Sequence, residues 1–145
     1  DGRLFTMGTI EHGKLGHPEK VKTEQEISEE KERYRKAGYR PGQQTRSTPE
    51  AGFAEGALLG KKVVDVACGD KHTVCVTEDG QVYSWGSGKR GALGHSGNDD
   101  NCGAPTLVEG VSNAVRVACG TDHTIVLDST GKLYSFGENT YGQLG

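Results

Sequence analysis

The sequence is poor in the residues that usually fill a large core. It holds one tryptophan, one methionine and 6% aromatics in 145 residues. No apolar run approaches the roughly 20 residues of a membrane helix, so membrane insertion is not expected. No basic stripe is present and the formal net charge is −3, which argues against nucleic acid as a partner of this segment. The opening residues show no charged-then-apolar leader. Four cysteines, Cys68, Cys75, Cys102 and Cys119, are too sparse for a disulfide framework, and none has zinc-ligand spacing with another cysteine or a histidine. That usage fits a reducing, intracellular compartment, cytoplasmic or nuclear, with no metal or other cofactor.

Glycine, in contrast, is abundant, with 23 residues. Short strands between glycine turns give such a composition; long helices do not. The glycines are also periodic. Val66 to Gly94 (VACGDKHTVCVTEDGQVYSWGSGKRGALG) returns at Val117 to Gly145 as VACGTDHTIVLDSTGKLYSFGENTYGQLG. Cys68 maps to Cys119, His72 to His123, Tyr83 to Tyr134, Trp85 to Phe136 and Leu93 to Leu144, each 51 positions on. The opening DGRLFTMGTIEHGKLGH matches the end of the same unit. A period near 50 residues marks an array of supersecondary units such as propeller blades.

Within the unit, Lys61 to Cys68 alternates, with Val64, Val66 and Cys68 on one face. Cys68 and Cys119 are expected to be small buried strand residues. Gly69-Asp70-Lys71 turns the chain into HTVCVT, and Asp79-Gly80 turns it again into QVYSW. A fourth strand is expected near Pro105 to Val108. Four short antiparallel strands per repeat fit a propeller blade. Parallel solenoid strands would not need an Asp-Gly hairpin in every repeat. The fold class is therefore all-β, a partial β-propeller of four-stranded antiparallel blades with one partly helical loop insertion.

The insertion occupies residues 18–53. His95 to Pro105 takes ten steps, whereas the matching interval from His17 to Ala54 takes 37. Thr23-x-x-Glu26 is a capping box, Gly38 is a stop signal, and Glu29/Arg33 and Glu32/Lys36 are favourable i,i+4 pairs. A helix over about 23–37 is expected, with the remainder of the insertion flexible. Its thin apolar stripe, Ile27 and Tyr34 above all, is either simply solvated or a docking element. The domain reading is residues 1–17 as the end of a first repeat, 18–53 as the insertion, 54–103 as a second repeat and 104–145 as a truncated third. Both chain ends fall inside the repeat and are expected to be cuts through a larger array.

Residues that recur in every repeat are poor catalytic candidates. His72 and His123 each follow a turn and precede a threonine, as bracing residues would, and Trp85, Phe136 and Met7 share one large apolar position. Gly86-x-Gly88-x-x-Gly91 formally resembles a dinucleotide fingerprint but lacks the helix and crossover that motif requires. No catalytic, cofactor-binding or metal-ligating residue is assigned. Alternate connections of a meander emerge on one side, so the Asp70-Lys71 type of turn shares a face with the long glycine loops. That face should carry Asp70, Lys71, Lys89, Arg90, Thr121, Asp122, Asn139 and Tyr141. With Ile27 and Tyr34 of the insertion, these are the candidate partner-binding residues.

The linked signature VACG-x-x-HT…DG-x-VYSWG…G-x-LG, carried by Val66 to Gly69, His72-Thr73, Asp79-Gly80, Tyr83 to Gly86 and Leu93-Gly94 and again in the next copy, resembles the repeat of the regulator of chromosome condensation family. No Trp-Asp dipeptide or Gly-Gly doublet points to the other common blade types. The resemblance implies a seven-bladed propeller, with the remaining blades as the segment's first partners. Its implied functions differ: a scaffold binding a protein partner through its loops, a guanine nucleotide exchange factor for a small GTPase, or the substrate-binding propeller of a ubiquitin ligase. The tryptophans that a plant ultraviolet receptor of the family carries before the repeated His-Thr are replaced here by Asp70-Lys71 and Thr121-Asp122, so light sensing is not implied.

Overall fold

A computed structural model describes residues 4–9, 47–53, 56–97 and 100–145. Among these described residues, nine strands form three antiparallel sheets. The first pairs β1 (Phe5–Thr9) with β2 (Ser47–Phe53). The second is a four-stranded meander of β3 (Val63–Cys68), β4 (His72–Thr77), β5 (Val82–Gly86) and β6 (Cys102–Leu107). The third contains β7 (Ala114–Cys119), β8 (His123–Asp128) and β9 (Leu133–Gly137). The sheet begun at Val63 closes with Cys102–Leu107, so this strand straddles the sequence-repeat boundary at 103/104.

Side chains alternate across each strand, which gives every sheet two faces to bury. On the second sheet, Val74, Val76 and Val82 face the third repeat, where they meet Val108, Ala114 and Val126 with Val117, Tyr134 and Phe136. Its opposite face packs Cys75, Tyr83 and Trp85 with Leu58, Leu4 and Val63. Strand β4 is therefore covered on both sides, and all six of its residues are buried. Its counterpart β8 is fully buried only at every second position, because Ile125 and Leu127 have no sheet over them among the described residues. Complete burial of one valine contributes about 1.5–3 kcal/mol, so each repeat depends on the next for a large share of its stability.

Gly86 ends β5 at φ 109, and a Cβ there would lie 2.5 Å from the Lys71 carbonyl oxygen. Gly137 repeats this at φ 114 against the Asp122 carbonyl. Only glycine accepts both the positive φ and the close backbone approach.

Two expectations need correction. Ser47–Phe53, placed in the flexible remainder of the insertion, is strand β2, paired with β1 from Phe5↔Phe53 to Thr9↔Ser47. Pro49 falls in the stretch of β2 where the register shifts and no β1 residue is paired with it, an irregularity of the kind that accommodates proline. Cys68 is exposed rather than buried. It does share a face with Val64 and Val66, but that is the more exposed face of β3. Cys119 lies on the equivalent face of β7, packs against the second repeat and is partly covered. The proposed helix over 23–37 lies outside the described residues, as do Ile27 and Tyr34.

Candidate interaction surface

The turns before β4 and β8 and the glycine loops after β5 and β9 come together on one face. The Ser87 amide donates to the Lys71 carbonyl (2.8 Å), and the Glu138 amide donates to the Asp122 carbonyl (2.8 Å). Asp70, Lys71, Lys89, Arg90, Thr121, Asn139 and Tyr141 are exposed there, and Asp122 is half-buried. Tyr141 is the extreme case at 90% exposure.

These residues do not form one equivalent set. Arg90 sits in the 3-10 turn Lys89–Gly91 at φ 62, ψ 19, an unusual backbone for a residue with a Cβ. Its guanidinium reaches over the junction between repeats to Asp122 (Nη1 to Oδ2, 3.4 Å) and to Glu138. The hydrogen bond from Arg90, followed by one from Thr140, holds the Glu138 carboxyl below its ordinary range. Arg90 and Asp122 are thus engaged with each other. Asn139 braces its own loop by accepting from the Leu144 amide (3.0 Å). Lys71 and Lys89 carry no ion pair among the described residues, and they stand with Asp70, Thr121 and Tyr141 toward solvent.

Sequence reasoning missed Glu138, for which the preceding repeat has Ser87. The signal was present in three non-repeating positions: Lys71 becomes Asp122, Ser87 becomes Glu138 and Arg90 becomes Tyr141. A cation in one loop and two new carboxylates one repeat later are what an inter-repeat ion pair requires.

Polar groups at the junction bind the repeats rather than prepare a reaction. Asp65 accepts the Val117 amide (2.9 Å), the Asp70 amide donates to the Thr121 carbonyl (3.2 Å), and the Ala114 amide donates to the Gly80 carbonyl (3.0 Å). His72 Nε2 lies 3.0 Å from Thr124 Oγ1, whose hydroxyl donates to the Ala92 carbonyl at 2.9 Å. With the threonine proton committed, the imidazole must donate from Nε2. So His72 braces the junction as well as its own turn, where Gly69 N–H donates to the His72 carbonyl (2.9 Å).

Ser84 and His95 resemble a nucleophile and base, with Oγ and Nε2 2.9 Å apart. However, Ser84 Oγ already donates to the Leu93 carbonyl at 2.7 Å. His95 Nε2 therefore carries the proton of their mutual bond and cannot accept the serine's. Ser135 repeats the bond, to the Leu144 carbonyl (2.8 Å). Burial pushes the Cys75 thiol up to about 12 and the Cys119 thiol up to about 11, far from a reactive thiolate. Gly86-x-Gly88-x-x-Gly91 leads into the three-residue 3-10 turn, which offers no helix for a phosphate. Among the described residues, no group of three or more His, Cys, Asp or Glu is placed to hold a metal ion, and no helix is long and apolar enough to cross a membrane.

Comparison with known proteins converges on one repeat. A profile of the regulator of chromosome condensation (RCC1) repeat matches residues 79–127, and a second profile of the same repeat matches 63–92 and 114–143. The chain is 36% identical over its whole length to the E3 ubiquitin-protein ligase HERC2 of Homo sapiens, covering 2% of that protein. It is 44% identical over 94 residues, 62% of the chain, to protein RCC2 of Homo sapiens, covering 18% of it. Human WBSCR16 superposes with a TM-score of 0.67 at 24% identity, over 94% of this chain and 29% of that one. Prp20p from Saccharomyces cerevisiae, whose structure is described with its binding to Gsp1p and histones, also gives 0.67, at 19% identity, over 93% of this chain and 29% of that one. The chain thus spans a small part of these relatives, and the superpositions speak for the fold alone.

Proposed function

The chain belongs to the regulator of chromosome condensation repeat family, and on that premise we propose that it is the protein-binding part of an RCC1-type propeller, working inside the cell, in cytoplasm or nucleus. The observation that carries this reading is the contrast between frame and loops. Frame positions recur from repeat to repeat, as at His72/His123, Thr73/Thr124, Tyr83/Tyr134, Ser84/Ser135 and Leu93/Leu144, whereas turn and loop positions of one face change: Asp70 to Thr121, Lys71 to Asp122, Lys89 to Thr140. A rigid frame with variable loops is how repeat proteins build a binding surface. Lys71, Lys89, Asp70, Thr121 and Tyr141 are the residues offered to the partner. Arg90, Asp122 and Asn139 hold the surface in shape.

Photo-crosslinking distinguishes the two faces. A photoreactive residue at 71, 89 or 121 should trap a protein partner, while the same residue at 62, 79 or 109, on the opposite face, should not. Adducts only from the second set would overturn the assignment.

A second reading, guanine nucleotide exchange on a small GTPase, is favoured by the fold shared with Prp20p, described by its binding to Gsp1p. It predicts faster release of labelled GDP from one member of a GTPase panel. No release from any member, with crosslinking intact, leaves the scaffold reading alone. Substrate binding for a ubiquitin ligase is the corresponding reading from HERC2, and it requires that the trapped partner be ubiquitinated.

A further inference from the structure

We propose that the junction between the second and third repeats is an acid-released joint whose titrating pin is the His72 imidazole: protonation of His72 loosens β7–β8 from β3–β4 while each sheet stays intact.

His72 is 2% exposed and lies where the two repeats meet. Its Nε2–H is satisfied by Thr124, whose own proton goes to Ala92, so the neutral ring fits without an unpaired donor. A second proton has to go on Nδ1. That edge of the ring lies against Gly69, where a Cβ would stand 2.5 Å from Nδ1 and 2.2 Å from Cε1. None of the hydrogen bonds among the described residues gives Nδ1 an acceptor. A buried imidazolium would hold one donor unpaired and one charge poorly solvated, both costly. Opening the junction relieves both.

The charged surroundings give no full compensation. From the third repeat, Asp122 and His123 face His72, and Cys119 on β7 is neutral because burial pushes its thiol up to about 11. Asp122 favours the imidazolium, but its carboxylate is bound to Arg90, which also takes Glu138; His123 opposes the charge. Lys71, beside His72 in the chain, is exposed and supplies no compensating negative charge. Burial is the largest influence and holds the His72 pKa below that of free imidazole. A base with a depressed folded-state pKa binds more protons when released. Its contribution is therefore complete above about pH 6.5, the free value, and is lost as pH falls below it.

Hydrogen exchange read amide by amide tests the joint. The Val117 and Ala114 amides donate across the junction, to Asp65 and to the Gly80 carbonyl, and report its opening. Amides of the β4–β5 ladder report the sheet itself. Between about pH 7.5 and about pH 5.5, which brackets the free imidazole value, corrected exchange at Val117 and Ala114 should speed up about five- to tenfold, the scale of one lost buried hydrogen bond. The β4–β5 ladder should not follow. His72→Gln, which keeps a donor near Nε2 and cannot titrate, should abolish the pH dependence. Equal acceleration in the variant, equal acceleration of the ladder, or no acceleration overturns the proposal. Should His72→Gln fail to fold, NMR titration of His72 in the unaltered chain decides: a pKa at or above that of free histidine rules the joint out.

Discussion

His72 and Thr124 lie 52 positions apart in the chain and 3.0 Å apart in space, Nε2 to Oγ1, on facing strands of successive repeats. Thr124 has a double role, since it accepts from the histidine and donates to Ala92. Replacing it with valine leaves the volume nearly unchanged but strands the buried Nε2–H and the Ala92 carbonyl. A loss of about 1–3 kcal/mol is expected for each buried group left unpaired. Urea unfolding of Thr124→Val should show it, and Thr124→Ser should recover most of it.

The loop of the second repeat meets the third at Gly94, where φ is 70 and a Cβ would stand 2.8 Å from Cε2 of Phe136. Gly94→Ala should destabilise by about 1–3 kcal/mol through overpacking, with backbone strain added. Combining it with Phe136→Leu should cost less than the two single changes together, since the smaller side chain makes room. Additive losses in a double-mutant cycle would show that strain, not the ring, dominates.

Arg90 combines a strained backbone with two carboxylate partners at an exposed site. Arg90→Gln removes the charge and keeps the strain; Arg90→Gly removes both. The glycine variant is expected to be the more stable of the two. The deficit of Arg90→Gln relative to the unaltered chain should shrink between about 0.02 M and about 1 M salt, because salt screens exposed pairs. Melting curves at the two salt concentrations read this out.

Thiol alkylation at about pH 8, near the value for a free cysteine, should proceed in an order set by exposure and thiolate population. Cys68, the exposed cysteine, reacts first. Cys119 and Cys75, with thiols raised to about 11 and about 12, react late and in that order. Mass spectrometry over a time course gives the ranking, and early loss of the Cys75 thiol would mean that the Trp85 cluster opens.

How much of this was legible in the sequence depends on the range of the interaction. His72-Thr73 after Gly69 and the Asp79-Gly80 turn could be placed because glycine geometry and side-chain alternation act over a few residues. The common face of Lys71 and Lys89 followed from the meander alone. Strand β2 was missed because its partner β1 is about forty residues away in the chain, and its own proline and polar residues look like a loop.

The amino-acid sequence by itself determined the repeat, its strands and its turns, since each rests on local alternation and on backbone conformations open to few residue types. It also pointed to the face of the candidate partner residues. Only the tertiary structure decided which members of that set are spoken for. Arg90 turns to Asp122 and Glu138; outside that set, His72 takes Thr124, and Cys68 lies open while Cys119 is partly covered. The physical reason is that burial and ion pairing belong to the junction between two sheets. The same residue type at the same repeat position has a different environment according to what stands on its far side.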